Sequence, residues 1–294
     1  MLSIVDTHVH FWNHKHPELR WDWLAPDAVH PILGDIDGIK SEAFEARHLW
    51  AEARFAGVTH FVHVQAAIGS PDPVTETVWL TEMAAQHSGI PHAIVGHADL
   101  GLDGARAQLE GHLESPLFKG VRDFAAEPTL AAGELPAAYE RSLRFLAAND
   151  LVFDLDCEYP NMAAAGALAA RHPDLRIVLQ HIGFPRRRDA DYFAAWRTAL
   201  TELGKHPNVF CKISGLAMTD PLFSRESLRP WAEHCLESFG PRRCVIGSNW
   251  PVDRLYSSYD SIMDCYRDYV STLSEDEQRA VLSGNALDLY RIAP

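Results

Sequence analysis

Two histidines near the start of the chain, His8 and His10, are separated by one residue and follow the β-branched pair Ile4 and Val5. In an extended strand, side chains two residues apart project from the same face, at a rise of about 3.3 Å per residue. The two imidazoles should therefore converge on one point at the end of a strand. Neutral imidazoles placed this way can share a metal ion or polarise a substrate oxygen. An isolated H-x-H motif is more often a polar loop, so this interpretation depends on the strand.

Composition and charge narrow the class of protein. The chain has 294 residues, 47% of them hydrophobic, which is enough for a large core. The formal net charge is -14, and the triplet 186–188 is a lone basic run that we interpret as a solvated helix start, so nucleic acid is disfavoured as a partner. The chain contains no run of 18 apolar residues of the kind that spans a membrane, and Asp6 stands where a signal peptide would be apolar. We expect a soluble cytoplasmic protein that acts on a small molecule, with homo-oligomer formation left open.

Apolar, β-branched segments alternate with helical segments along the whole chain. The predicted strands are Ser3–Asp6, Thr59–Gln65, His92–His97, Phe118–Asp123, Leu151–Asp156, Arg176–Gln180, Val209–Ile213 and Cys244–Gly247. The predicted helices are Ala43–Ala56, Val74–Gln86, Asp103–Glu114, Pro136–Asn149, Met162–Arg171, Ala190–Leu203, Arg225–Ser238, Tyr259–Thr272 and Glu275–Tyr290. This alternation predicts an α/β fold of the (β/α)8 TIM-barrel type, as one domain over residues 1–294. A doubly wound open sheet is the competing fold, and the lack of G-x-G-x-x-G after the first strand disfavours its nucleotide-binding form.

The connection after His10 is unusually long for a compact domain and contains Trp12, Trp21 and Trp23. Three tryptophans argue against disorder. We interpret residues 11–42 as a lid-like loop over the barrel mouth. The alternative is that the tryptophans only pack the loop against the barrel.

Active sites of (β/α)8 barrels lie at the carboxyl ends of the strands. The polar residues predicted there are His8, His10, His63, Gln65, His97, Asp99, Lys119, Arg122, Asp123, Asp154, Asp156, Glu158, Tyr159, Gln180, His181, Lys212, Ser214, Asn249 and Asp253. The strand starts carry far fewer titratable groups, and this asymmetry predicts an enzyme rather than a scaffold. In the acidic row after strand five, a buried carboxylate would be costly, so Glu158 is the candidate there. The remaining histidines, His30 among them, are expected to be surface or packing residues.

Five short motifs occur along the chain in a characteristic order. They are D-T-H-V-H-F-W at 6–12, K-G-V-R at 119–122, Q-H-I-G at 180–183, K-I-S-G-L at 212–216 and G-S-N-W-P at 247–251. In these motifs the chain resembles the amidohydrolase superfamily, most closely the amidohydrolase-2 branch with its sugar lactonases and pyrone-dicarboxylate lactonase. The resemblance covers essentially the whole chain. It implies a distorted (β/α)8 barrel and hydrolysis of a lactone or a related carboxyl derivative.

The resemblance also implies roles for individual residues. Carried over by position, His8, His10 and His181 would form the imidazole cluster, and three imidazoles with an open position are typical of catalytic zinc. A divalent metal, in first place Zn²⁺, is therefore expected. Asn249 stands where most of the superfamily has an aspartate that binds metal and acts as base. An amide cannot take a proton from water, so metal-independent chemistry is the alternative, and Asp253 could supply the missing carboxylate.

The expected substrate contacts are Gln65, Lys119, Arg122, Tyr159 and Trp250. The guanidinium of Arg122 suits a substrate carboxylate, the alternative being an ion pair with a neighbouring acid. The expected function is hydrolysis of a small lactone, derived from either a sugar acid or a dicarboxylic acid. Decarboxylation or lactone isomerisation on the same barrel is a second hypothesis, and a non-catalytic ligand-binding barrel is a third.

Overall fold

The computed structural model describes residues 2–30 and 32–294, and within them eight parallel strands form one sheet in which each strand pairs with the next along the chain. The strands are β1 Ile4–Val9, β2 Val58–Val64, β3 Ala93–Gly96, β4 Phe118–Arg122, β5 Val152–Leu155, β6 Ile177–Leu179, β7 Val209–Ile213 and β8 Cys244–Ile246. All lie within or next to the segments predicted as strands. The sheet nearly closes into a barrel, which confirms the predicted fold.

Helices follow the strands and cover the outside of the sheet. They are α1 Ala46–Ala53, α2 Val74–Gln86, α3 Ala105–His112, α4 Ala126–Ala131, α5 Ala137–Ala148, α6 Met162–Arg171, α7 Ala190–Leu203, α8 Arg225–Phe239, α9 Tyr259–Val270, α10 Glu275–Arg279 and α11 Asn285–Leu289. No helix in the described ranges is both long and apolar enough to cross a membrane.

Two predicted helices differ from the structure. The first begins three residues late, because Ala43–Phe44 pairs in an antiparallel ladder with Trp12–Asn13 instead. The last is interrupted, because a π-helical segment, Ala280–Gly284, separates α10 from α11. Helical periodicity alone does not reveal the ladder, since it depends on pairing with a segment some 30 residues earlier in the chain.

Side chains as well as backbone join β1 to β8, where the barrel closes. Val9 forms a parallel bridge with Trp250, and the nitrogen of His10 donates to the Trp250 oxygen at 2.8 Å. The buried carboxylate of Asp6 accepts hydrogen bonds from the Ser248 nitrogen at 2.7 Å, the Ser248 hydroxyl at 2.6 Å and the Tyr259 hydroxyl at 2.8 Å. Asp6 therefore fixes the end of β8 against the strand that carries the histidine pair.

A buried ion pair crosses the barrel interior. The Lys212 ammonium on β7 lies 2.8 Å from Asp154 Oδ2 on β5 and donates to the Thr7 carbonyl on β1 at 3.0 Å. Both charged side chains are fully buried. The acid in strand five is therefore compensated by a cation, so its burial carries less than the full cost of an isolated charge.

The long loop packs over the carboxyl ends of the strands. Trp12 and Trp21 are buried, and the Trp12 indole donates to the Ser41 carbonyl at 2.9 Å. Trp23 is half-buried and donates to the Ala66 carbonyl at 2.9 Å. The Trp12 bond thus joins the two ends of the loop, whereas Trp23 attaches the loop to the end of β2 and lies at the mouth.

Replacing Asp6 by asparagine tests the closure of the barrel. An amide offers one acceptor oxygen instead of two and turns a donor toward other donors, so we expect Asp6→Asn to lower the free energy of unfolding by about 2–3 kcal/mol. Urea denaturation measures this. The exposed Asp174 provides the control, since Asp174→Asn should change stability by less than about 0.5 kcal/mol. Equal effects of the two substitutions would show that Asp6 does not hold the seam.

Candidate active site

The imidazoles of His8 and His10 meet edge to edge at the end of β1. Their Nε2 atoms are 3.2 Å apart. His10 Nδ1 lies 2.8 Å from the carbonyl oxygen of Val64. His8 Nδ1 lies 3.1 Å from Gln180 Oε1, and the Gln180 amide nitrogen donates to the Val178 carbonyl at 3.2 Å, which fixes the orientation of the amide.

These partners determine where the imidazole protons are. A carbonyl oxygen only accepts, so both Nδ1 atoms must carry hydrogen. In neutral imidazoles both Nε2 atoms are then bare, and two lone pairs face each other across 3.2 Å. Two nitrogens bound to one tetrahedral zinc at about 2.05 Å would be about 3.3 Å apart. His8 and His10 thus fit a shared metal ion.

The third histidine of the predicted cluster, His181, lies beside this pair. Its ring centroid is 4.4 Å from that of His8, and its Nδ1 is 2.9 Å from the Ser214 hydroxyl. His181 and Ile182 both have left-handed backbone angles, with φ of 49° and 53°. The indole of Trp196 on α7 donates to the Ile182 carbonyl at 2.8 Å and supports this turn.

Two glycines make room for the rings. A Cβ atom on Gly247 would lie 2.7 Å from the Cβ of His8, and one on Gly215 would lie 2.6 Å from His181 Nδ1. Both are closer than real Cβ contacts allow. The glycines in the K-I-S-G-L and G-S-N-W-P motifs therefore have a steric role beside the histidines.

Burial and nearby cations keep the cluster neutral. Burial lowers the pKa values of His8, His10 and His181 well below their usual 6.5, and the positive charge of Arg122 lowers all three further. The Lys212 ammonium has the same effect on His8 and His181. All three rings are therefore uncharged near pH 7, and their bare nitrogens can act as ligands or proton acceptors.

A cavity of about 280 Å³ opens above the cluster, at the carboxyl ends of the strands. Its polar and charged lining consists of His10, His30, Gln65, Arg122, Glu127, Asp156, Glu158, His181, Arg186 and Asn249. Its apolar lining includes Trp23, Ile32, Leu33, Ile68, Phe124, Phe184, Met218 and Val252. The cavity is therefore two-sided, with polar groups around the histidines and apolar groups contributed largely by the loops.

Arg122 is held beside an acid rather than left free. Its Nη2 donates to the Gln65 carbonyl at 2.9 Å, and its Nε lies 3.9 Å from Asp156 Oδ2. Neither that nitrogen nor that oxygen has a hydrogen-bond partner among the described residues. At 3.9 Å the pair attracts electrostatically but is too long for a hydrogen bond.

At the end of β8, Asn249 and Asp253 form a pair. The Asn249 side-chain nitrogen donates to Asp253 Oδ1 at 2.8 Å. Asn249 lines the cavity, whereas Asp253 is fully buried and lies outside the lining. Burial raises the Asp253 pKa to about 7, the Asn249 hydrogen bond opposes this, and the charge of Asp6 adds to it. The carboxylate proposed from the sequence as a substitute base is thus separated from the cavity by the amide.

Three of the predicted substrate contacts are placed elsewhere. Lys119 lies near the start of β4, in the field of Arg291 and Asp150. Tyr159 packs edge-on against Tyr192, and the indole of Trp250 is buried and donates to Glu52. The cavity lining, as far as residues 2–30 and 32–294 show it, includes none of the three. Gln65 and Arg122 do line the cavity.

Comparison with known proteins identifies the family. The family model described as Amidohydrolase matches residues 5–292. The chain belongs to the amidohydrolase family. This confirms the resemblance and the expected hydrolase.

Individual relatives of this amidohydrolase span its full length. It is 31% identical to uncharacterized protein y4mH of Sinorhizobium fredii, with 99% of each chain covered. It is also 31% identical to L-fucono-1,5-lactonase of Burkholderia ambifaria, over 98% of this chain and 95% of that one. A zinc-bound crystal structure of an amidohydrolase from Burkholderia multivorans matches with a TM-score of 0.82 and 27% identity, covering 99% of this chain and 100% of that chain.

Family membership points to a divalent metal, and the structure of this amidohydrolase limits the donor set. In the part of the chain that is described, no group of three or more His, Cys, Asp or Glu side chains is arranged to hold an ion. The donors that fit are the Nε2 atoms of His8 and His10. Asn249 contributes no carboxylate, as its residue type predicts.

Three residues that line the cavity were not predicted from the sequence to do so. Arg186 was interpreted as solvated and His30 as a surface or packing residue, yet both line the cavity of the amidohydrolase. Arg186 donates to Glu158 at 2.8 Å, which turns it toward the mouth. Asp156 also lines the cavity, because the cationic Arg122 beside it reduces the cost of burial. For each of the two charged residues, Arg186 and Asp156, the oppositely charged partner was the available signal.

Stability should depend on pH through Asp253. Its folded-state pKa of about 7 lies above the ordinary value of 3.8, so the folded amidohydrolase keeps a proton that the unfolded chain releases. The contribution of Asp253 to the free energy of unfolding therefore falls as pH rises from about 4 to about 7, and then levels off. Thermal denaturation between about pH 5 and pH 8 measures this. The difference in stability between Asp253→Asn and the unsubstituted protein should increase in favour of Asp253→Asn up to about pH 7 and then stay constant. A constant difference would contradict the elevated pKa.

Proposed function

We propose that this amidohydrolase hydrolyses the lactone of a sugar acid. Water attacks the ring carbonyl carbon, the bond from that carbon to the ring oxygen breaks, and an open-chain hydroxy acid is formed. The observation that carries the proposal is the neutral histidine cluster at the base of a small cavity without excess positive charge. The relative named L-fucono-1,5-lactonase supports the substrate class.

Charge in the cavity favours a neutral lactone over a dicarboxylic one. The lining contains two arginines, Arg122 and Arg186, against three carboxylates, Glu127, Asp156 and Glu158, a formal charge of -1 with neutral histidines. Arg186 is bonded to Glu158, and Arg122 lies beside Asp156. A substrate with two carboxylates would meet more negative than positive charge, whereas the hydroxyls of a sugar lactone can donate to these acids.

The apolar side of the cavity suits a substrate with one hydrocarbon end. Phe124, Phe184 and Met218 lie on that side, with Trp23 from the long loop. A methyl group or a short alkyl chain on the lactone ring would be buried against these side chains. Its burial would favour binding by about 0.8 kcal/mol per CH₂ group. We propose a deoxy-sugar lactone, and we propose residues 11–42 as the lid that completes this wall.

The side chains divide the chemistry among them. The unprotonated ring nitrogen of neutral His181 accepts the proton of the attacking water, and the ring returns a proton to the leaving ring oxygen. Arg122 and the Gln65 amide supply N–H donors for the oxyanion that develops on the carbonyl. A divalent metal, in first place zinc, would be held by Nε2 of His8 and His10 and would polarise the carbonyl or acidify water.

A comparison of lactones tests the substrate class. We expect a neutral deoxy-sugar lactone such as L-fucono-1,5-lactone to exceed a pyrone dicarboxylate by at least about 100-fold in kcat/KM, because the second carboxylate would be buried unpaired. Acid release with zinc supplied measures the rates, and mass spectrometry of the product separates hydrolysis from decarboxylation or isomerisation. Faster turnover of the dicarboxylate, or a product of unchanged mass, would refute the proposal.

Substitution of His181 tests its role as proton acceptor. We expect His181→Asn to lower kcat by about 10²- to 10⁴-fold, with a smaller change in KM, because an amide cannot take up the proton. His206, which is half-buried outside the cavity, supplies the control: His206→Asn should retain kcat. A non-catalytic barrel would show no turnover in any of these proteins.

A further inference from the structure

Asp253 is a buried acid without a cationic partner. Its side chain is fully buried, Oδ2 has no hydrogen-bond partner, and no salt bridge to it occurs within residues 2–30 and 32–294. Its backbone is fixed, because its nitrogen donates to the Asn249 carbonyl at 3.2 Å and its own carbonyl accepts from Tyr256 and Ser257 at 3.0 Å each. A carboxylate kept in such a place costs stability, so its one side-chain bond, to Asn249, needs a functional explanation.

That bond decides which end of the Asn249 amide faces the cavity. Asn249 Nδ2 is committed to Asp253 Oδ1 at 2.8 Å. The atom that Asn249 can offer to the cavity is therefore its oxygen, Oδ1. The backbone of Asn249 is also fixed, at a left-handed φ of 58°. An oxygen that can accept a hydrogen bond from water, but cannot take up its proton, is thus held at the cavity.

We propose that Asp253 is a positioning residue that orients the Asn249 amide, so that Asn249 Oδ1 accepts a hydrogen bond from the attacking water. In this arrangement Asn249 holds the water, and the proton goes to an imidazole. Asp253 does not touch the substrate, because the amide stands between it and the cavity. This inference rests on the proposed hydrolysis.

Two substitutions of Asp253 separate positioning from base catalysis. Asp253→Leu keeps the branch at Cγ but removes the acceptor, and kcat for the lactone should fall about 10- to 100-fold with KM nearly unchanged. Its melting temperature at about pH 8 should not fall, because a buried unpaired charge is removed as well. Asp253→Asn keeps an acceptor oxygen for Asn249 and should recover most of kcat.

A double-mutant cycle shows whether Asp253 acts through Asn249. In an Asn249→Ala background, Asp253→Leu should cause no further loss of kcat, because no amide is left to orient. The proposal is overturned if Asp253→Asn is as inactive as Asp253→Leu, which would make the carboxylate the base. It is also overturned if Asp253→Leu lowers kcat equally in both backgrounds.

A spectroscopic measurement tests the orientation without any substrate. The Nδ2 protons of Asn249 are identified by the side-chain amide signals that Asn249→Ala removes from the ¹H–¹⁵N spectrum. These signals should shift in Asp253→Leu and stay near their original positions in Asp253→Asn; unchanged signals in Asp253→Leu would overturn the proposal. If no lactone is hydrolysed by the unsubstituted protein, the proposed function fails, and this spectrum still decides the orientation.

Discussion

The site depends on two buried hydrogen bonds that the Nδ1 atoms of His8 and His10 make to oxygens of the protein. Val64 and Gln180 each present an oxygen that can only accept, so both Nδ1 atoms are protonated and both Nε2 atoms are bare. The rings cannot turn away without leaving a buried carbonyl or amide oxygen unpaired. Two lone pairs at 3.2 Å repel each other unless a cation lies between them. The pair is therefore held ready for a positive charge by groups that are not ligands.

The barrel supplies this geometry by joining distant segments. The Asp6 carboxylate holds β8 against β1 two residues before His8. Lys212 links β7 to β5 and β1 from inside the barrel and adds positive charge near the rings. Protonation of the cluster is unfavourable, because burial and the charges of Arg122 and Lys212 lower the histidine pKa values. The same burial and charges oppose a metal ion, which can bind only because its bonds to the two Nε2 atoms are strong.

Much of this arrangement could be predicted from the sequence, because it follows from short-range patterns. Strand alternation predicted the barrel, and the period of two in H-x-H predicted the convergence of His8 and His10. The same barrel rule placed His181 near them. Gln65 and Arg122 were also found at strand ends, where parallel strands bring polar residues together.

The residues that the sequence misplaced lie where side-chain direction is set by distant partners. Trp250 is turned toward Glu52, far away in the chain, and Tyr159 toward Tyr192 on α7. Arg186 points inward because Glu158 receives it. No local pattern encodes such pairs. Asp253 pairs locally with Asn249, but its full burial depends on the fold around it. The direction of these side chains thus follows from tertiary contacts that the sequence does not display.

A crystal structure of the protein soaked with zinc, with anomalous diffraction recorded on both sides of the zinc edge, tests the central claim most directly. The account predicts one peak about 2.0–2.1 Å from the Nε2 atoms of both His8 and His10, with the hydrogen bonds to Val64 and Gln180 intact. It would be contradicted by rings that have rotated so that Nδ1 binds the ion, or by saturating zinc that leaves no peak between the two histidines.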